Sequence, residues 1–331
     1  MRALLKLHAA DSFCVGRHLQ VKRPRPGMTF RIQDGLLDAV LYLYKDEADA
    51  TAGRESGGSG FLFGCAVSGS TDYTLWAVTN RHVVEGGGWT IRVNLKAGGV
   101  ATIDTTELDW FYHPVADLAV IPIALSQDVH RISFITEEWT LTPEWEQSLE
   151  IGPGDPCFTI GRFIGHAGLQ RNTPTTRFGQ IAQIDSEPIK SDGREQRSYL
   201  VEIRSIGGFS GSPVFVYLDA AYYRPWAVGA KPGPDGSIMG VGRFPTGPWL
   251  LGVTWCMVPT WEPVCDNTGK VIQQGYKVLA NSGLMGVVPA RFLAEMFAEG
   301  GAAFARRREI EAAIAAKAAI VLPKVIPTSA D

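Results

Sequence analysis

The sequence contains few cysteines and almost no excess of charge of either sign. Its 331 residues include five cysteines and no CxxC pair, so we predict neither a disulfide framework nor a zinc knuckle. Reduced thiols in a cytoplasmic setting fit this pattern best. The 31 basic and 34 acidic side chains nearly balance, which disfavours a nucleic-acid coat and a polybasic membrane anchor.

Segments that would place the chain in a membrane are also missing. No run of about eighteen uncharged apolar residues occurs, so we predict no transmembrane helix. The apolar start is interrupted by Lys6 and closed by Asp11, which leaves it too short for a secretory signal. We therefore expect a soluble protein that is not exported and has no membrane or nucleic-acid partner.

The residues that are present predict a globular, all-β fold. Hydrophobic residues make up 45% of the chain and charged residues 20%, which excludes intrinsic disorder as the main state. Between Leu36 and Val288, short β-branched and aromatic runs are separated by Gly, Pro, Asn and Asp, as in a β-sandwich or β-barrel. Convincing helical periodicity is absent between these runs, so a parallel α/β fold is disfavoured.

Three other stretches have a different composition. Residues 1–35 end in the basic, proline-containing KRPRPG, and we interpret them as an N-terminal extension. Residues 289–331 have high helix propensity and predict two C-terminal helices, the second ending at Pro323. Residues 220–248 form a Pro/Gly-rich insertion, which is either a lid over a cleft or a tolerated surface loop.

The segment GGFSGSPVF places Ser210 between glycines, in a turn that leads into a strand. A nucleophilic hydroxyl needs such a turn, because the backbone must bend without a Cβ clash and two N–H groups must point at the oxygen that becomes negative. Gly208 and Ser210 can supply those N–H groups, and Gly211 permits the bend. On its own, the pattern is equally typical of an ordinary hairpin loop.

Two further segments place an imidazole and a carboxylate beside strands. In WAVTNRHVV, His82 follows the end of a strand, a rigid place from which the ring can reach a neighbouring element. In HPVADLAVIPI, Asp117 comes immediately before an apolar strand, where a carboxylate can hold the tautomer of an imidazole. Taken alone, such a histidine is more often structural and such an aspartate is more often a turn residue.

The order of these residues along the chain separates the candidate folds. His82, Asp117 and Ser210 follow the His, Asp, Ser order of the chymotrypsin type of triad. The α/β-hydrolase order requires a histidine after the serine, whereas all six histidines precede Ser210. That fold also requires glycine two residues after the nucleophile, where this chain has Ser212.

The motifs TNRHVV, DLAV and GGFSGSPVF together resemble those of trypsin-like serine peptidases, in the bacterial branch that includes the HtrA catalytic domain. The resemblance covers about residues 36–297 and includes no PDZ-like segment. It implies an all-β, chymotrypsin-like fold of two antiparallel six-stranded β-barrels, with a C-terminal helical tail. The first barrel would cover about 36–145, and the second about 146–288.

The resemblance also implies a mechanism and assigns a role to each site residue. Ser210 would attack a peptide carbonyl, His82 would take and return the proton, and Asp117 would orient His82. The amides of Gly208 and Ser210 would form the oxyanion hole. No metal and no cofactor are implied.

Residues that would contact a substrate follow from the same resemblance. Arg204 and Ser205 fall near the base of the specificity pocket, where Arg204 either favours an acidic side chain or turns to solvent. Thr254, Trp255 and Cys256 would pair with an extended substrate as an added strand. The expected partners are a protein or peptide substrate and, as an open alternative, an activating protein.

Two positions depart from the secreted members of that family. Phe209 stands where secreted trypsins carry an aspartate that pairs with a newly cleaved N-terminus, so that route of activation is not expected. The residue directly after His82 is Val83 and not a cysteine, so the usual disulfide around the histidine is not expected, which is consistent with a reducing compartment.

The sequence leaves three functions as hypotheses. The first is a serine endopeptidase that acts through an acyl-enzyme, and the second is a catalytically silent relative whose barrels bind proteins. The third is a metal site formed by His82, His113 and Asp117. It is disfavoured because the chain has no HExxH motif and the histidines lie on separate elements.

Overall fold

The structure is a computed structural model, and the part of the chain that it describes is residues 6–7, 31–54, 56–163, 168–191, 193–204, 207–218, 231–232, 238–239, 247–316, 320–321 and 325–327. Its strands, in chain order, are β1 (Lys6–Leu7), β2 (Val40–Tyr44), β3 (Ser56–Ala66), β4 (Tyr73–Thr79), β5 (Thr90–Asn94), β6 (Val100–Asp104), β7 (Phe111–Tyr112), β8 (Ala119–Pro122), β9 (Ile135–Thr136), β10 (Pro156–Gly161), β11 (Thr175–Gln183), β12 (Pro188–Ser191), β13 (Arg194–Arg197), β14 (Tyr199–Glu202), β15 (Pro213–Val216), β16 (Lys231–Pro232), β17 (Ile238–Met239), β18 (Trp249–Pro263), β19 (Lys277–Pro289), β20 (Ile320–Val321) and β21 (Val325–Pro327).

Helices are short and lie mainly at strand ends and in the C-terminal part. They are α1 (Asp34–Asp38), α2 (Glu47–Ala52), α3 (Arg81–Glu85), α4 (Pro143–Ser148), α5 (Ala290–Phe297) and α6 (Phe304–Ala315), with one 3-10 helix at Glu137–Trp139. Among the described residues, none of these helices has the length and apolar character needed to span a bilayer.

The strands form two main units. Six strands of the second half close into an antiparallel barrel in the order β10-β11-β14-β19-β18-β15. The first unit is a nine-stranded sheet in the order β21-β6-β5-β2-β3-β4-β8-β7, with β9 pairing in parallel to β3. The predicted all-β class, the closed second barrel and the C-terminal helices are confirmed.

The first unit differs in detail from the six-stranded barrel that the resemblance implied. Its sheet gains β9 beside β3, and it gains β21 beside β6, where Val325 lies opposite Ile103. Strand β21 belongs to the tail that the sequence predicts to be helical, and the last helix ends at Ala315, before Pro323. An added strand pairs the backbone groups that an open sheet edge would leave exposed, which is the physical reason for the tail to return to β6.

Side-chain alternation along β2 explains how the two units pack together. Tyr42 belongs to a buried cluster that also contains Phe158 and Phe215 of the barrel. Its neighbour Leu41 belongs to a second cluster, which lies within the first unit. Successive residues of a strand point to opposite faces, so one strand lines both the interior of its own sheet and the junction between the units.

Charged contacts attach helix α6 to the first unit. The Arg307 guanidinium donates to Glu137 Oε1 at 2.6 Å and to the carbonyl oxygen of Ala66 at 3.1 Å. Its Nε also donates to Glu311 Oε1, within the helix, at 2.9 Å. Two carboxylates and a carbonyl thus surround a side chain that is only 16% exposed, and they anchor the tail where it crosses the sheet.

Candidate active site

His82 and Asp117 are brought together at the edge of the first unit. His82 lies in α3, directly after β4 ends, and its backbone N–H donates to Asp117 Oδ1 at 3.0 Å. Its ring Nδ1 lies 2.6 Å from Asp117 Oδ2. A carboxylate at this distance holds the proton on Nδ1, which leaves Nε2 unprotonated and able to accept one.

Two side chains hold Asp117 in place through its backbone. Its N–H donates to Gln196 Oε1 at 2.8 Å, and its carbonyl oxygen accepts from Asn80 Nδ2 at 2.8 Å. Gln196 is buried and comes from β13, in the second half of the chain. The sequence analysis missed Gln196, because nothing in the local pattern signals a contact between residues 79 positions apart.

Ser59 holds the turn that carries Ser210. Its backbone N–H donates to the Ser210 carbonyl oxygen at 2.8 Å, and its hydroxyl donates to the Gly208 carbonyl oxygen at 2.7 Å. Gly208 has a φ of 95°, in the region that favours glycine. Among the described residues, the amides of Gly208 and Ser210 have no hydrogen-bond acceptor, which leaves them free to bind an oxyanion.

The serine turn and the helix that carries His82 meet at Gly58. A Cβ added at Gly58 would lie 3.0 Å from the Ser210 carbonyl oxygen and 2.9 Å from Cγ2 of Val83, the residue that follows His82. Within the described part of the chain, no hydrogen bond joins the Ser210 hydroxyl to the His82 ring. The Ser210 turn and the residue after His82 therefore both lie beside Gly58, while the catalytic roles of His82, Asp117 and Ser210 stay a prediction.

Gly211 occupies a position where only glycine fits. Its φ is 86°, and an added Cβ would lie 2.0 Å from the Ser59 carbonyl oxygen and 2.4 Å from Thr79 Oγ1. We expect Gly211→Ala to lower the free energy of unfolding by about 2–3 kcal/mol, because both the backbone angle and the clash must be relieved. Urea unfolding measures this change.

The control for that substitution is Gly152→Ala. An added Cβ at Gly152 would meet nothing within 4 Å, so we expect that variant to unfold at the wild-type urea concentration. Equal stability of the Gly211 and Gly152 variants would show that the serine turn is looser than the contacts of Gly211 indicate.

Phe209 is the anchor of the serine turn. It is 1% exposed, and the Arg177 guanidinium lies over its ring, with Cζ 5.3 Å from the centroid. Arg177 also lies over the Phe163 ring at 5.5 Å and donates to the Arg204 carbonyl oxygen at 2.5 Å. A cation–π contact between Arg177 and Phe209 therefore occupies the position at which secreted trypsins carry an aspartate. The sequence analysis did not foresee Arg177.

The predicted substrate-binding residues have unequal surroundings. Arg204 is exposed, and Ser205 lies outside the described residues. The Thr254 carbonyl oxygen accepts from the Gly211 N–H, and the Thr254 N–H donates to the Ser212 carbonyl oxygen, each at 2.9 Å. The serine turn therefore already uses both backbone groups of Thr254.

Trp255 and Cys256 follow the point where β18 leaves β15. The pairing between these strands ends at Val253, and beyond it β18 continues beside β19. The role of Thr254, Trp255 and Cys256 in added-strand pairing with a substrate stays a prediction.

His113 is engaged away from His82. Its Nδ1 accepts from the Ala116 N–H at 2.9 Å, and its Nε2 faces Glu295 Oε2 of α5 at 3.2 Å. No cluster of at least three His, Cys, Asp or Glu side chains that could hold a metal occurs among the described residues. The hypothesis of a metal site at His82, His113 and Asp117 therefore gains no support from the contacts of His113.

Comparisons with known proteins give one family match and several similar solved structures. The family model of the trypsin-like peptidase domain matches residues 58–219, and no curated protein sequence matches the chain.

Solved structures that resemble the chain include the MamO protease domain from Magnetospirillum magneticum in its apo form. It has 15% identity and a TM-score of 0.44, covering 78% of this chain and 96% of that one. The HtrA-type protease AlgW with a decapeptide has 16% identity and TM-score 0.41, with coverage of 86% and 66%. Deg5 has 18% identity and TM-score 0.38, with coverage of 67% and 81%. The assignment rests on the family model: residues 58–219 of this chain form a trypsin-like peptidase domain.

Proposed function

We propose that the chain is a serine endopeptidase that cleaves protein or peptide substrates through an acyl-enzyme. The observation that carries the proposal is the 2.6 Å contact between His82 Nδ1 and Asp117 Oδ2. It is supported by the amides of Gly208 and Ser210, which have no hydrogen-bond acceptor among the described residues. In this mechanism, Nε2 of His82 removes the Ser210 proton as the hydroxyl attacks, and then delivers it to the leaving amine. The amides of Gly208 and Ser210 hold the oxyanion, and water then releases the acyl group.

Buried thiols do not compete with Ser210 as nucleophiles. Cys65, Cys157 and Cys256 are buried, and desolvation by burial raises the pKa of the Cys157 thiol to about 12. Burial also raises the pKa of Cys65. A thiol with a raised pKa is protonated at neutral pH and unreactive, so Cys65 and Cys157 should not react with an acylating probe. The proposal includes the cytoplasmic, reducing setting in which such thiols persist.

A fluorophosphonate probe tests the proposal directly. We expect one covalent adduct per chain, located by mass spectrometry on the peptide that contains Ser210, and none after denaturation of the protein before labelling. Ser210→Ala serves as the blank. No adduct above the level of this blank, or an adduct on another residue, would contradict the proposal.

The second candidate function is a catalytically silent scaffold that binds proteins. The specific observation in its favour is that, in the described part of the chain, the Ser210 hydroxyl is not hydrogen-bonded to His82. The enzyme accounts for the same observation, because catalytic hydrogen bonds are often long in ligand-free enzymes and tighten on substrate binding. The probe experiment separates the two, because a scaffold would remain unlabelled.

Arg177 should affect the rate of acylation without touching the substrate. We expect Arg177→Met to lower the labelling rate by about 10²-fold, because losing one correctly placed oxyanion donor costs about that much. The change should appear in kcat more than in KM, since the oxyanion forms only in the transition state. Labelling kinetics and peptide turnover measure both.

Arg171→Met is the matched control, because Arg171 is an exposed arginine that precedes the same strand. It should label at the wild-type rate. If Arg177→Met loses thermal stability but its folded fraction labels normally, Arg177 holds the fold and does not position the serine turn.

A further inference from the structure

Two arginines are buried where the first sheet meets the barrel. Arg92, in β5, has no exposed surface, and Arg162, directly after β10, is 3% exposed. Both guanidinium groups lie over the ring of Tyr44, with Cζ 5.9 Å and 5.1 Å from its centroid, respectively. Arg162 also lies over the ring of Tyr42, at 5.7 Å. Two positive charges are thus gathered around one pair of aromatic rings.

Neither arginine has a carboxylate partner among the residues that the structure describes. The titratable groups that act on Arg162 are Tyr44, Tyr42 and Arg92, and desolvation by burial lowers its pKa. Arg92 Nη1 donates to the Gly168 carbonyl oxygen at 3.0 Å and to the Tyr44 hydroxyl at 3.3 Å. These acceptors are neutral, so no described residue balances the positive charge of the pair.

Several donors of the pair have no acceptor in the part of the chain that the structure describes. Nε of Arg92, and both Nε and Nη1 of Arg162, are buried and make no hydrogen bond. Buried charges are normally paired, and a buried donor without a partner usually marks an ion or a water. Three free N–H groups on two adjacent cations favour an anion, because water satisfies the donors without balancing the charge.

We propose that Arg92 and Arg162 form a binding site for a small oxyanion, of the phosphate or carboxylate class, at the junction of the two β units. Guanidinium groups match the planar oxygen pairs of these anions better than they match a spherical ion. The site uses none of the residues of the proposed triad.

The site lies directly behind the serine turn. The backbone N–H of Arg162 donates to Ser59 Oγ at 2.9 Å, and this hydroxyl in turn donates to the Gly208 carbonyl oxygen. In the register of the sheet, Tyr42 lies opposite both Ser59 and Arg92, so the three side chains share one face. An anion bound to the arginines would therefore fix the segment that supports the serine turn.

Thermal unfolding of the wild-type protein tests the site without relying on activity. Sodium phosphate and sodium acetate are each titrated into a buffer of a bulky organic sulfonate at constant ionic strength. We expect at least one of the two salts to raise Tm along a saturating curve, by roughly 3–6 °C at 100 times its Kd. The salt that acts identifies the source of the oxyanion. A linear rise without a plateau is the general effect of excluded salts and would overturn the proposal, as would a response to chloride alone.

Two substitutions assign the effect to the arginine pair. We expect the double variant Arg92→Met, Arg162→Met to lose the saturating response, while the exposed-arginine variant Arg194→Met keeps it. A saturating response that survives in the double variant would overturn the assignment.

If the double variant does not fold, Arg162→Lys replaces it and should weaken the apparent affinity for the anion at least 10-fold. An unchanged affinity would overturn the proposal. These Tm measurements do not depend on catalysis, so a catalytically silent scaffold with the same anion site would give the same results. Failure of the anion-site proposal is therefore distinct from failure of the proposed peptidase activity.

Discussion

We expect His82→Ala to lower the rate of fluorophosphonate labelling by about 10⁴-fold or more while leaving the stability of the protein nearly unchanged. The ring is the only base placed to remove the Ser210 proton in the proposed mechanism, so its loss removes most of the rate. The side chain is 19% exposed, and its removal therefore leaves no sealed cavity. Labelling kinetics and urea unfolding of the same sample measure the two effects.

Arg81→Ala is the control for this variant. Arg81 lies beside His82 on α3, its side chain is 46% exposed, and it pairs with Glu85 of the same helix. Exposed pairs of this kind contribute about 0.5 kcal/mol, so this variant should be labelled at a rate close to that of the wild type. Labelling of His82→Ala at the wild-type rate would exclude His82 as the base, and its unfolding under mild conditions would show a structural role.

We expect Asp117→Asn to lower the labelling rate by about 10⁴-fold, also with little loss of structure. Both carboxylate oxygens accept hydrogen bonds, one from the His82 amide and one from the ring Nδ1. An asparagine replaces one of these acceptors by an N–H₂ donor, which favours the wrong tautomer of the ring. Nδ1 then accepts, Nε2 carries the proton, and the base can no longer receive one from Ser210.

Asp128→Asn is the matched control, because Asp128 is an exposed aspartate of the same unit. It should be labelled at the wild-type rate, and the pH dependence of its labelling rate should match that of the wild type. Near-native labelling of Asp117→Asn would show that another carboxylate orients His82. Loss of labelling together with loss of the folded state would mean that the contacts of Asp117 serve stability.

The sequence predicts the β class and the positions of His82, Asp117 and Ser210 because these features are encoded locally. Short apolar runs alternate with turn residues, and the imidazole, the carboxylate and the hydroxyl each lie next to such a run. The order of the three residues then selects among known triads. No comparable local signal exists for Ser59, whose hydroxyl meets Gly208 across 149 positions.

The supporting contacts and the tail could not be read from the sequence for physical reasons. The replacement of aspartate by Phe209 is visible, but the cation that packs on the ring comes from β11 and depends on tertiary packing. The tail strand β21 has three residues, one of them a proline, which is too short for periodicity to detect. Its strand state depends on β6 being available as a partner.

The pairing of β21 with β6 has a consequence for the order in which the protein is made. The partner of β6 lies more than two hundred residues further along the chain, after the whole barrel. During synthesis the first unit therefore emerges without its outermost strand, and it gains that strand only after residues 325–327 have been translated. Until then, the edge of β6 that later pairs with β21 is unpaired and can pair with other nascent chains.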